Sequence, residues 1–344
     1  MGDPRESREL FVAVATGERT ERVPVWFMRQ AGRILPEFRA LRARHSFEAL
    51  CTDAARAAAV TLQPLRWFDV DAAILFSDIL VPLFYMDVGL RFVEGKGPVL
   101  ARPVDTPDAV DRLESVTNWE EYPYQAQALK QVRESIPQKA VIGFAGAPFT
   151  LASYLIEGSS TRRAGGRAFE ENHPKAYRRL MGVVVETIVS CLKYQAEAGP
   201  DALQVFDTWA GLLPREDYAR LALPHAAKVI EGLRGTGLPL IYYSRKSAGT
   251  VDLAVRTGAD VLGVDQTIGL RAARERVPRD VTLQGNLDPR FLLKGANGLT
   301  SAVRRVLEEG GRGPHIFNLG EGMPPEARLD RVESVVKEVR AFRR

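Results

Sequence analysis

The chain has 344 residues, of which 45% are hydrophobic and 26% are charged, so it is long enough and apolar enough to bury a large core. Its formal net charge is +4, from 47 basic and 43 acidic residues, and no basic run is interleaved with aromatic residues. This composition argues against a nucleic-acid-binding protein and leaves open a basic site for a small polyanion.

The sequence contains no segment typical of export or membrane insertion. Its first six residues are polar and charged, unlike a signal peptide, and no apolar run approaches the ~20 residues that span a bilayer. The two cysteines, Cys51 and Cys191, are far apart and lie within apolar helical patterns, so we expect buried free thiols. We therefore expect a cytoplasmic protein without a membrane partner.

Eight short segments are predicted to be strands because they are almost continuously apolar, as in a parallel sheet that is buried on both faces. In chain order they are residues 24–28, 72–76, 140–146, 202–207, 239–244, 261–265, 281–286 and 315–320. The Gly- and Pro-rich residues 89–103, between the second and third segments, can form a hairpin.

Helical patterns separate the predicted strands. They cover residues 46–67 with Ser46 as a cap, 174–198, a segment opened by Pro214, 299–309 and 325–342. Strands that alternate with helices eight times predict one (β/α)8 barrel of the TIM type, an α/β fold, over residues 1–344. In this fold the active-site cleft lies at the carboxyl ends of the strands.

Polar residues follow almost every predicted strand. In chain order they are Arg29 and Arg33, Asp78, Tyr154, Thr208, Arg245 and Lys246, Asp265, Asn286, and Glu321. Because the carboxyl ends of parallel strands meet at one rim, we expect these residues to line a common cleft.

Arg29 and Arg33 follow the first apolar segment, and Ala31 and Gly32 between them are too small to shield their charges. They are either two solvated loop arginines or a pair that binds an anion. The neighbouring apolar residues favour the second interpretation, because a cation at the mouth of a buried strand is costly without an anionic partner.

The other residues at the predicted rim have two interpretations each. Asp78 follows an apolar run, so it is either a helix cap or a functional carboxylate. Tyr154 lies in an apolar helical turn and is either a core tyrosine or a cleft residue. Thr208, with the preceding Asp207, is either a cap or a hydrogen-bond donor in the cleft.

Two long motifs resemble the signatures of the uroporphyrinogen decarboxylase family. The first is Pro-Val-Trp-Phe-Met-Arg-Gln-Ala-Gly-Arg at residues 24–33, and the second is Gly-Phe-Ala-Gly-Ala-Pro-Phe-Thr-Leu-Ala-Ser-Tyr at residues 143–154. Phe-Ser-Asp at 76–78, Gln-Gly-Asn-Leu-Asp-Pro at 284–289 and Asn-Leu-Gly at 318–320 follow the family order. The resemblance extends over nearly the whole chain.

The resemblance implies an enzyme, usually a homodimer, that uses no cofactor and no metal. This family removes carbon dioxide from the four acetate side chains of uroporphyrinogen III and leaves the methyl groups of coproporphyrinogen III. It implies that Asp78 lies under the macrocycle and accepts hydrogen bonds from pyrrole N–H groups, with Arg29 and Arg33 also in the catalytic set. The implied substrate contacts are Arg29, Gln30, Ala31, Gly32, Arg33, Arg42, Asp78, Tyr154, Thr208 and Glu321.

Two positions depart from the family pattern. The family usually has His after Asn-Leu-Gly, where this chain has Glu321, and Trp after Gly-x-Asp, where it has Gln266. A carboxylate that faces substrate carboxylates is repulsive unless it is protonated or paired, and Arg245 and Lys246 are candidate partners for Glu321.

The sequence leaves two other classes of function as alternatives. A related barrel that transfers methyl groups from a corrinoid protein would need a zinc-thiolate site, typically His-x-Cys with a distant Cys, and this sequence has no His-x-Cys. A tetrapyrrole carrier without catalytic activity is the second alternative, because Glu321 changes the expected site. The presence of Arg29, Asp78 and Tyr154 argues against such a loss.

Overall fold

Seven parallel strands form a curved sheet at the centre of the fold, in a computed structural model that describes residues 5–159 and 165–344. Strands β1 and β4 to β9 pair in that order, and β2 and β3 form a separate antiparallel hairpin. The strands are Ala72–Ile74 (β1), Leu90–Val93 (β2), Gly97–Leu100 (β3), Ala140–Gly146 (β4), Ala202–Asp207 (β5), Leu240–Ser244 (β6), Val261–Gly263 (β7), Thr282–Leu287 (β8) and His315–Leu319 (β9). Seven of the eight predicted strands and the predicted hairpin are confirmed.

The prediction of a first strand at residues 24–28 is wrong, because this segment forms only one bridge, between Val25 and Phe317 of β9. The Phe317 N–H donates to the Pro24 carbonyl at 2.8 Å, and the Asp71 N–H, just before β1, donates to the Val25 carbonyl at 2.7 Å. The segment thus connects the two edges of the sheet and closes it into the predicted TIM-type barrel.

Side chains explain why this closing segment is not a regular strand. Pro24 has no N–H group, and three of the next four backbone N–H groups donate to side chains instead of strand carbonyls. The three bonds are Val25 N to Asp71 Oδ2 at 2.8 Å, Phe27 N to Gln30 Oε1 at 3.0 Å, and Met28 N to Asn318 Oδ1 at 3.0 Å. Hydrogen bonding between strands needs those N–H donors, so the pairing of this segment with β9 does not extend past the Val25 bridge.

Helices surround the sheet and cover its outer face. They are Ser7–Ala15 (α1), Pro36–Arg42 (α2), Phe47–Cys51 (α3), Ala54–Leu62 (α4), Pro64–Trp67 (α5), Pro107–Asp111 (α6), Tyr124–Ser135 (α7), Pro148–Glu157 (α8), Gly165–Asn172 (α9), Pro174–Glu197 (α10), Arg215–Asp217 (α11), Leu223–Leu233 (α12), Val251–Ala254 (α13), Leu270–Arg274 (α14), Leu299–Gly310 (α15) and Leu329–Ala341 (α16). Three predicted helices, 174–198, 299–309 and 325–342, correspond to α10, α15 and α16.

The prediction of one helix over residues 46–67 is wrong, because the structure divides it into α3, α4 and α5. Ser46 caps α3 as predicted, since its hydroxyl accepts from the Ala49 N–H at 3.0 Å. Asp53 caps α4 by accepting from the Arg56 N–H at 2.9 Å. Pro64, at the first position of α5, has no N–H to continue α4.

The helix predicted to open at Pro214 is also interrupted. Short α11 is followed by a π-helical turn at Tyr218–Ala222, and α12 begins after it. Pro224 lies in the first turn of α12 and cannot donate to the preceding turn, which explains the local change of register.

Ion pairs to two buried carboxylates, Asp71 and Asp201, lie at the end of the barrel from which the strands start. Nη1 and Nη2 of Arg22 donate to Asp71 at 2.9 and 2.8 Å, and Arg8 Nε donates to Asp201 at 2.6 Å. Arg133 also pairs with Asp201. Because these carboxylates are already paired, they have a structural role at this end. No helix in the described ranges is both long and apolar enough to cross a bilayer.

Candidate active site

Asp78 lies where β1 leaves the barrel. Its Oδ1 accepts the Leu80 N–H at 2.9 Å, and its carbonyl accepts the Val81 N–H at 3.1 Å, so it shapes a turn. The residue is nevertheless partly exposed. Burial raises the pKa of the Asp78 carboxyl, while the Leu80 N–H and the charge of Arg29 lower it. The carboxylate thus has a turn-forming role and an open side toward a nearby cation.

Arg29 lies on the same rim in an unusual backbone conformation. Its φ angle is +61°, in the left-handed region that non-glycine residues rarely adopt, and its side chain is exposed. The side chain passes over Gly322, where an added Cβ would be 2.6 Å from Arg29 Cδ. The Met323 N–H donates to the Met28 carbonyl at 2.8 Å. The loop after β9 therefore fixes the position of Arg29.

The side chain of Gln30 supports this turn from inside the barrel. It is fully buried, its Oε1 accepts the Phe27 N–H at 3.0 Å, and its Nε2 donates to the Ala72 carbonyl at 3.0 Å. Ala31 and Gly32 are partly exposed beside it. Gln30 was predicted to contact the substrate, but both polar atoms of its side chain are hydrogen-bonded to the protein backbone.

Arg33 and Arg42 are the other two arginines that the sequence assigned to carboxylate binding. Arg33 is exposed, and Arg42 is partly buried, with its Nη1 donating to the His45 carbonyl at 2.5 Å. Burial raises the pKa of the Cys51 thiol, the Asp78 carboxylate raises it further, and Arg42 lowers it. Asp78 and Arg42 therefore both lie within electrostatic range of this buried thiol. The structure also leaves Cys51 and Cys191 as free buried thiols, as predicted.

Tyr154, on α8, lies within electrostatic range of Asp78 and Arg29. Its ring packs edge-on against Trp209, with 4.8 Å between ring centroids. Burial raises the pKa of Tyr154 to about 12, and the Asp78 carboxylate adds to this shift, while Trp209 and Arg29 oppose it. The hydroxyl therefore remains protonated at neutral pH and close to both charged groups.

A buried network attaches the end of β5 to α8. Asp207 accepts hydrogen bonds from the Thr150 hydroxyl at 2.7 Å and the Tyr242 hydroxyl at 3.0 Å. Burial raises the pKa of Asp207 to about 6, and these hydroxyls oppose the shift. The Trp209 N–H donates to Thr150 Oγ1 at 3.1 Å, and Thr208 is partly exposed between these residues. The network fixes Thr208 and the Trp209 ring relative to Tyr154.

Glu321 lies on the opposite side of Arg29 from this network and is paired. Arg245 Nη2 lies 3.2 Å from Oε1 and 3.1 Å from Oε2 of Glu321, and Gln266 Nε2 donates to Oε1 at 3.1 Å. Of the two candidate partners, the structure thus selects Arg245 over the exposed Lys246. The contact with Gln266 was not predicted from the sequence. The signals in the sequence were the position of Gln266 shortly after β7 and its departure, like that of Glu321, from the expected family pattern.

Tyr243, on β6, connects this ion pair to Arg29. Its hydroxyl donates to the Gly320 carbonyl at 2.9 Å. Burial raises the pKa of Tyr243, as do Asp265 and Glu321, and Arg245 and Arg29 oppose the shift. Arg29 and the Arg245–Glu321 pair therefore belong to one rim of the barrel.

Comparison with known proteins shows which family the chain belongs to. The sequence model described as uroporphyrinogen decarboxylase (URO-D) matches residues 6–342. The chain belongs to this family. The uroporphyrinogen decarboxylase of Carboxydothermus hydrogenoformans is 40% identical over 334 residues, covering 96% of this chain and 95% of the relative. That of Mycolicibacterium paratuberculosis is 43% identical over 327 residues, covering 92% and 91%.

A solved structure supports the fold of this uroporphyrinogen decarboxylase family member. A methyltransferase from Methanosarcina mazei superposes with a TM-score of 0.83, covering 97% of this chain and 98% of that one. Because only 18% of residues are identical, this likeness shows a shared fold alone. Within residues 5–159 and 165–344, no group of three His, Cys, Asp or Glu side chains could hold a metal ion.

The two departures from the uroporphyrinogen decarboxylase pattern contact each other. Glu321 and Gln266 follow different strands, β9 and β7, yet their side chains are hydrogen-bonded at the rim. The two side chains therefore form one local unit at the rim.

A second concave region lies at the other end of the barrel. A cavity of about 470 Å³ is lined by Trp67, Asp69, Glu333 and Arg340, among others. Arg340 already pairs with Asp69 at 2.9 Å and with Asp71 at 3.3 Å. Since its cation is engaged and Asp78 is at the opposite end of β1, this cavity is not the candidate active site.

Proposed function

We propose that this protein decarboxylates the four acetate side chains of uroporphyrinogen III and releases coproporphyrinogen III. Membership of the uroporphyrinogen decarboxylase family supports the reaction. The observation that carries the proposal is the arrangement of Asp78, Arg29 and Tyr154, which share one rim at the carboxyl end of the barrel.

The rim supplies cations for a ligand with eight carboxylates. We assign carboxylate binding to Arg29, Arg33 and Arg42, with the main chain of Ala31 and Gly32 beside them. An arginine and a carboxylate about 4 Å apart attract by about 4 kcal/mol at an effective dielectric constant of about 20, before desolvation is subtracted. Several such contacts are needed because each one also costs desolvation energy.

Asp78 would stabilise the charge that forms during the reaction. Loss of carbon dioxide leaves the electron pair of the broken C–C bond on the methylene carbon, so the pyrrole must accept it. Protonation of an adjacent pyrrole carbon makes a cation that accepts this pair. A second proton then converts the methylene group to methyl, and loss of the first proton from the ring carbon restores the pyrrole, so that each acetate consumes one proton in total. An ionised Asp78 at the pyrrole nitrogens stabilises that cation, and the Arg29 charge helps to keep Asp78 ionised.

This chemistry needs no prosthetic group, because the substrate pyrrole itself accepts the electrons. We therefore propose a cofactor-free and metal-free reaction, with the proton delivered by a rim arginine or a carboxylic acid. A pH profile separates the two donors, since only a carboxylic acid loses its proton between about pH 4 and pH 7.

Tyr154 and Thr208 would complete the wall around the macrocycle. The Tyr154 ring is held by Trp209, and Thr208 lies beside the Asp207 network, so both side chains are preorganised. Glu321 contributes to the same wall, neutralised by Arg245.

We also propose that the protein works as a homodimer in the cytoplasm, as the family resemblance implies. Sedimentation at micromolar concentration would give twice the mass of the chain for a dimer. A single species with the mass of the chain would contradict the dimer.

The direct test is anaerobic incubation with uroporphyrinogen III in the presence of a metal chelator. The products are oxidised, separated and their carboxylates counted by mass spectrometry. Conversion from eight carboxylates to four supports the proposal. Binding without any loss of carboxylates would instead favour the carrier function, and no binding would contradict both.

A further inference from the structure

The guanidinium of Arg245 has unused hydrogen-bonding capacity. Both contacts with Glu321 come from one nitrogen, Nη2, at 3.1 and 3.2 Å, so the pair lacks the two parallel bonds of a bidentate arrangement. Arg245 Nε is buried and has no hydrogen-bond partner in the part of the chain that the structure describes. A buried donor without an acceptor is unfavourable, so a bidentate carboxylate would suit this side chain better.

The contact that occupies Arg245 can be exchanged. Its side chain is 33% exposed and that of Glu321 is 31% exposed, and ion pairs of this kind contribute little to stability. Glu321 also has a second partner, because Gln266 Nε2 donates to its Oε1 at 3.1 Å. The Glu321 carboxylate therefore keeps one hydrogen bond if Arg245 turns away from it.

The backbone around Arg245 is held firmly, so only the side chain needs to move. The next residue, Lys246, donates its N–H to Asp265 Oδ2 at 2.6 Å, and Ser247 donates to Oδ1 at 3.2 Å. The Arg245 carbonyl lies so close to Gly211 that a Cβ there would approach it to 1.5 Å. A long flexible side chain on a fixed turn is suited to capturing a ligand at a defined place.

Arg245 also faces the same cleft as Arg29. Gly322, which touches the Arg29 side chain, directly follows the Glu321 that Arg245 binds. Tyr243 donates to the Gly320 carbonyl at 2.9 Å, and both arginines lie within electrostatic range of its hydroxyl. An anionic ligand held by Arg29 would therefore bring further carboxylates toward Arg245.

We propose that Arg245 binds a carboxylate of the ligand, and that Glu321, held by Gln266, occupies Arg245 until that carboxylate displaces it. This inference rests on the proposed function, because it takes one of the eight carboxylates of uroporphyrinogen as the ligand. Glu321 then acts as an internal competitor that weakens binding at this position.

The competing explanation is that Arg245 only neutralises Glu321. Both explanations predict weaker binding for Arg245→Met, since that variant leaves an unpaired carboxylate facing an anionic ligand. They differ in the double variant, where no carboxylate remains to be neutralised. A double-mutant cycle with Glu321→Gln therefore separates them.

The cycle is measured as the Kd for uroporphyrinogen III, under argon, by ultrafiltration. Bound and free tetrapyrrole are quantified after oxidation, and chromatography counts their carboxylates in the same samples. Arg234→Met is the matched control, because Arg234 pairs with Asp260 at 2.8 Å with similar exposure, before β7 at the opposite end of the barrel. Each variant is also checked for folding by circular dichroism.

We expect Glu321→Gln to lower Kd, Arg245→Met to raise it about tenfold or more, and Arg234→Met to leave it unchanged. The decisive comparison is the double variant, whose Kd should stay at least about fivefold above that of Glu321→Gln alone. Equal Kd values for those two proteins would overturn the inference. Wild-type binding without decarboxylation would refute only the proposed function, and no wild-type binding would overturn both.

Discussion

Gln266 and Glu321 are joined by a hydrogen bond of 3.1 Å, although they follow strands β7 and β9 and lie 55 residues apart in the chain. These are the two positions at which the sequence is expected to depart from the family pattern. Because the two side chains contact each other and Arg245, the departures form one unit, and substitutions at either position should be interpreted together.

We predict that Glu321→His keeps or raises decarboxylase activity. The substitution removes the carboxylate that occupies Arg245 and so frees Arg245 for an anionic substrate. The double variant Glu321→His with Gln266→Trp restores the family pattern at both positions and should be at least as active. Steady-state turnover of uroporphyrinogen III checks both variants. Complete loss of activity in both would mean that Glu321 has an indispensable role of its own.

Asp78→Asn should lower kcat by about a hundredfold or more, because the amide cannot stabilise a pyrrole cation as a carboxylate does. The protein should still fold, since the Asn side-chain oxygen can accept the Leu80 N–H that Asp78 accepts at 2.9 Å. The measurements are kcat by product analysis and the thermal midpoint. Nearly full activity in this variant would remove Asp78 from the mechanism.

Arg29 should be tested with two substitutions, because its φ angle of +61° adds backbone strain. Arg29→Ala and Arg29→Gly should both raise the KM for uroporphyrinogen about tenfold or more through loss of a carboxylate contact. The Gly variant should be more stable than the Ala variant by about 1 kcal/mol, because glycine adopts the left-handed region without strain. An unchanged KM in both would contradict the carboxylate-binding role.

His315 should make the protein sensitive to acid. Its ring is fully buried, with Nε2 2.7 Å from the Gly285 carbonyl, and burial lowers its pKa to about 3, with Arg344 as the next cause. An unfolded histidine titrates near pH 6.5, so the unfolded chain binds the extra proton first. The free energy of unfolding should therefore fall as pH drops from about 6.5 to about 3, by a few kcal/mol.

Denaturant unfolding of His315→Gln checks this prediction. The variant should lose much of the pH dependence between pH 6.5 and 3, whatever its absolute stability. The exposed His173 provides the matched control, and His173→Gln should retain the wild-type slope. The same slope in His315→Gln as in the wild type would show that other groups cause the acid sensitivity.

Asp207 should change the free energy of unfolding with pH in the opposite direction to His315. Burial raises its pKa to about 6, so the folded protein binds a proton that the unfolded chain has lost above about pH 4. Its contribution to stability should therefore decrease as pH rises from about 4 to about 6. Asp207→Asn should remove this component, and its profile should rise more steeply with pH than that of the wild type. A less steep profile would contradict the assignment.

The sequence was sufficient to predict most of the barrel because a parallel sheet buried on both faces requires apolar runs, and β4 to β6 are such runs. The same apolar pattern wrongly predicted a strand at residues 24–28, where backbone N–H groups donate to the side chains of Asp71 and Asn318 instead of to a neighbouring strand. Such partners are remote in sequence and leave no local pattern. The breaks between helices α3, α4 and α5, by contrast, have local signals in the sequence, namely a capping residue at Asp53 and a proline at position 64.

The residues of the candidate site also divide into those that a local sequence pattern predicts and those that depend on contacts remote in sequence. Asp78 and Tyr154 come after β1 and β4, and Arg29 comes after the apolar segment that closes the barrel, so the sequence could predict that they lie toward one rim. The contact between Gln266 and Glu321 could not be predicted, because it depends on the relative position of two loops. The buried side chain of Gln30 was equally hidden, since its partners are a turn and the start of β1.

The most direct test of the central claim is the crystal structure of the protein bound to coproporphyrinogen, grown and frozen without oxygen. The quantity to measure is the distance from the Asp78 carboxylate oxygens to the pyrrole nitrogens. Our account predicts hydrogen-bond distances of about 2.7–3.2 Å, with Arg29 against a carboxylate of the ligand. A macrocycle bound away from Asp78, or held without Arg29, would contradict it.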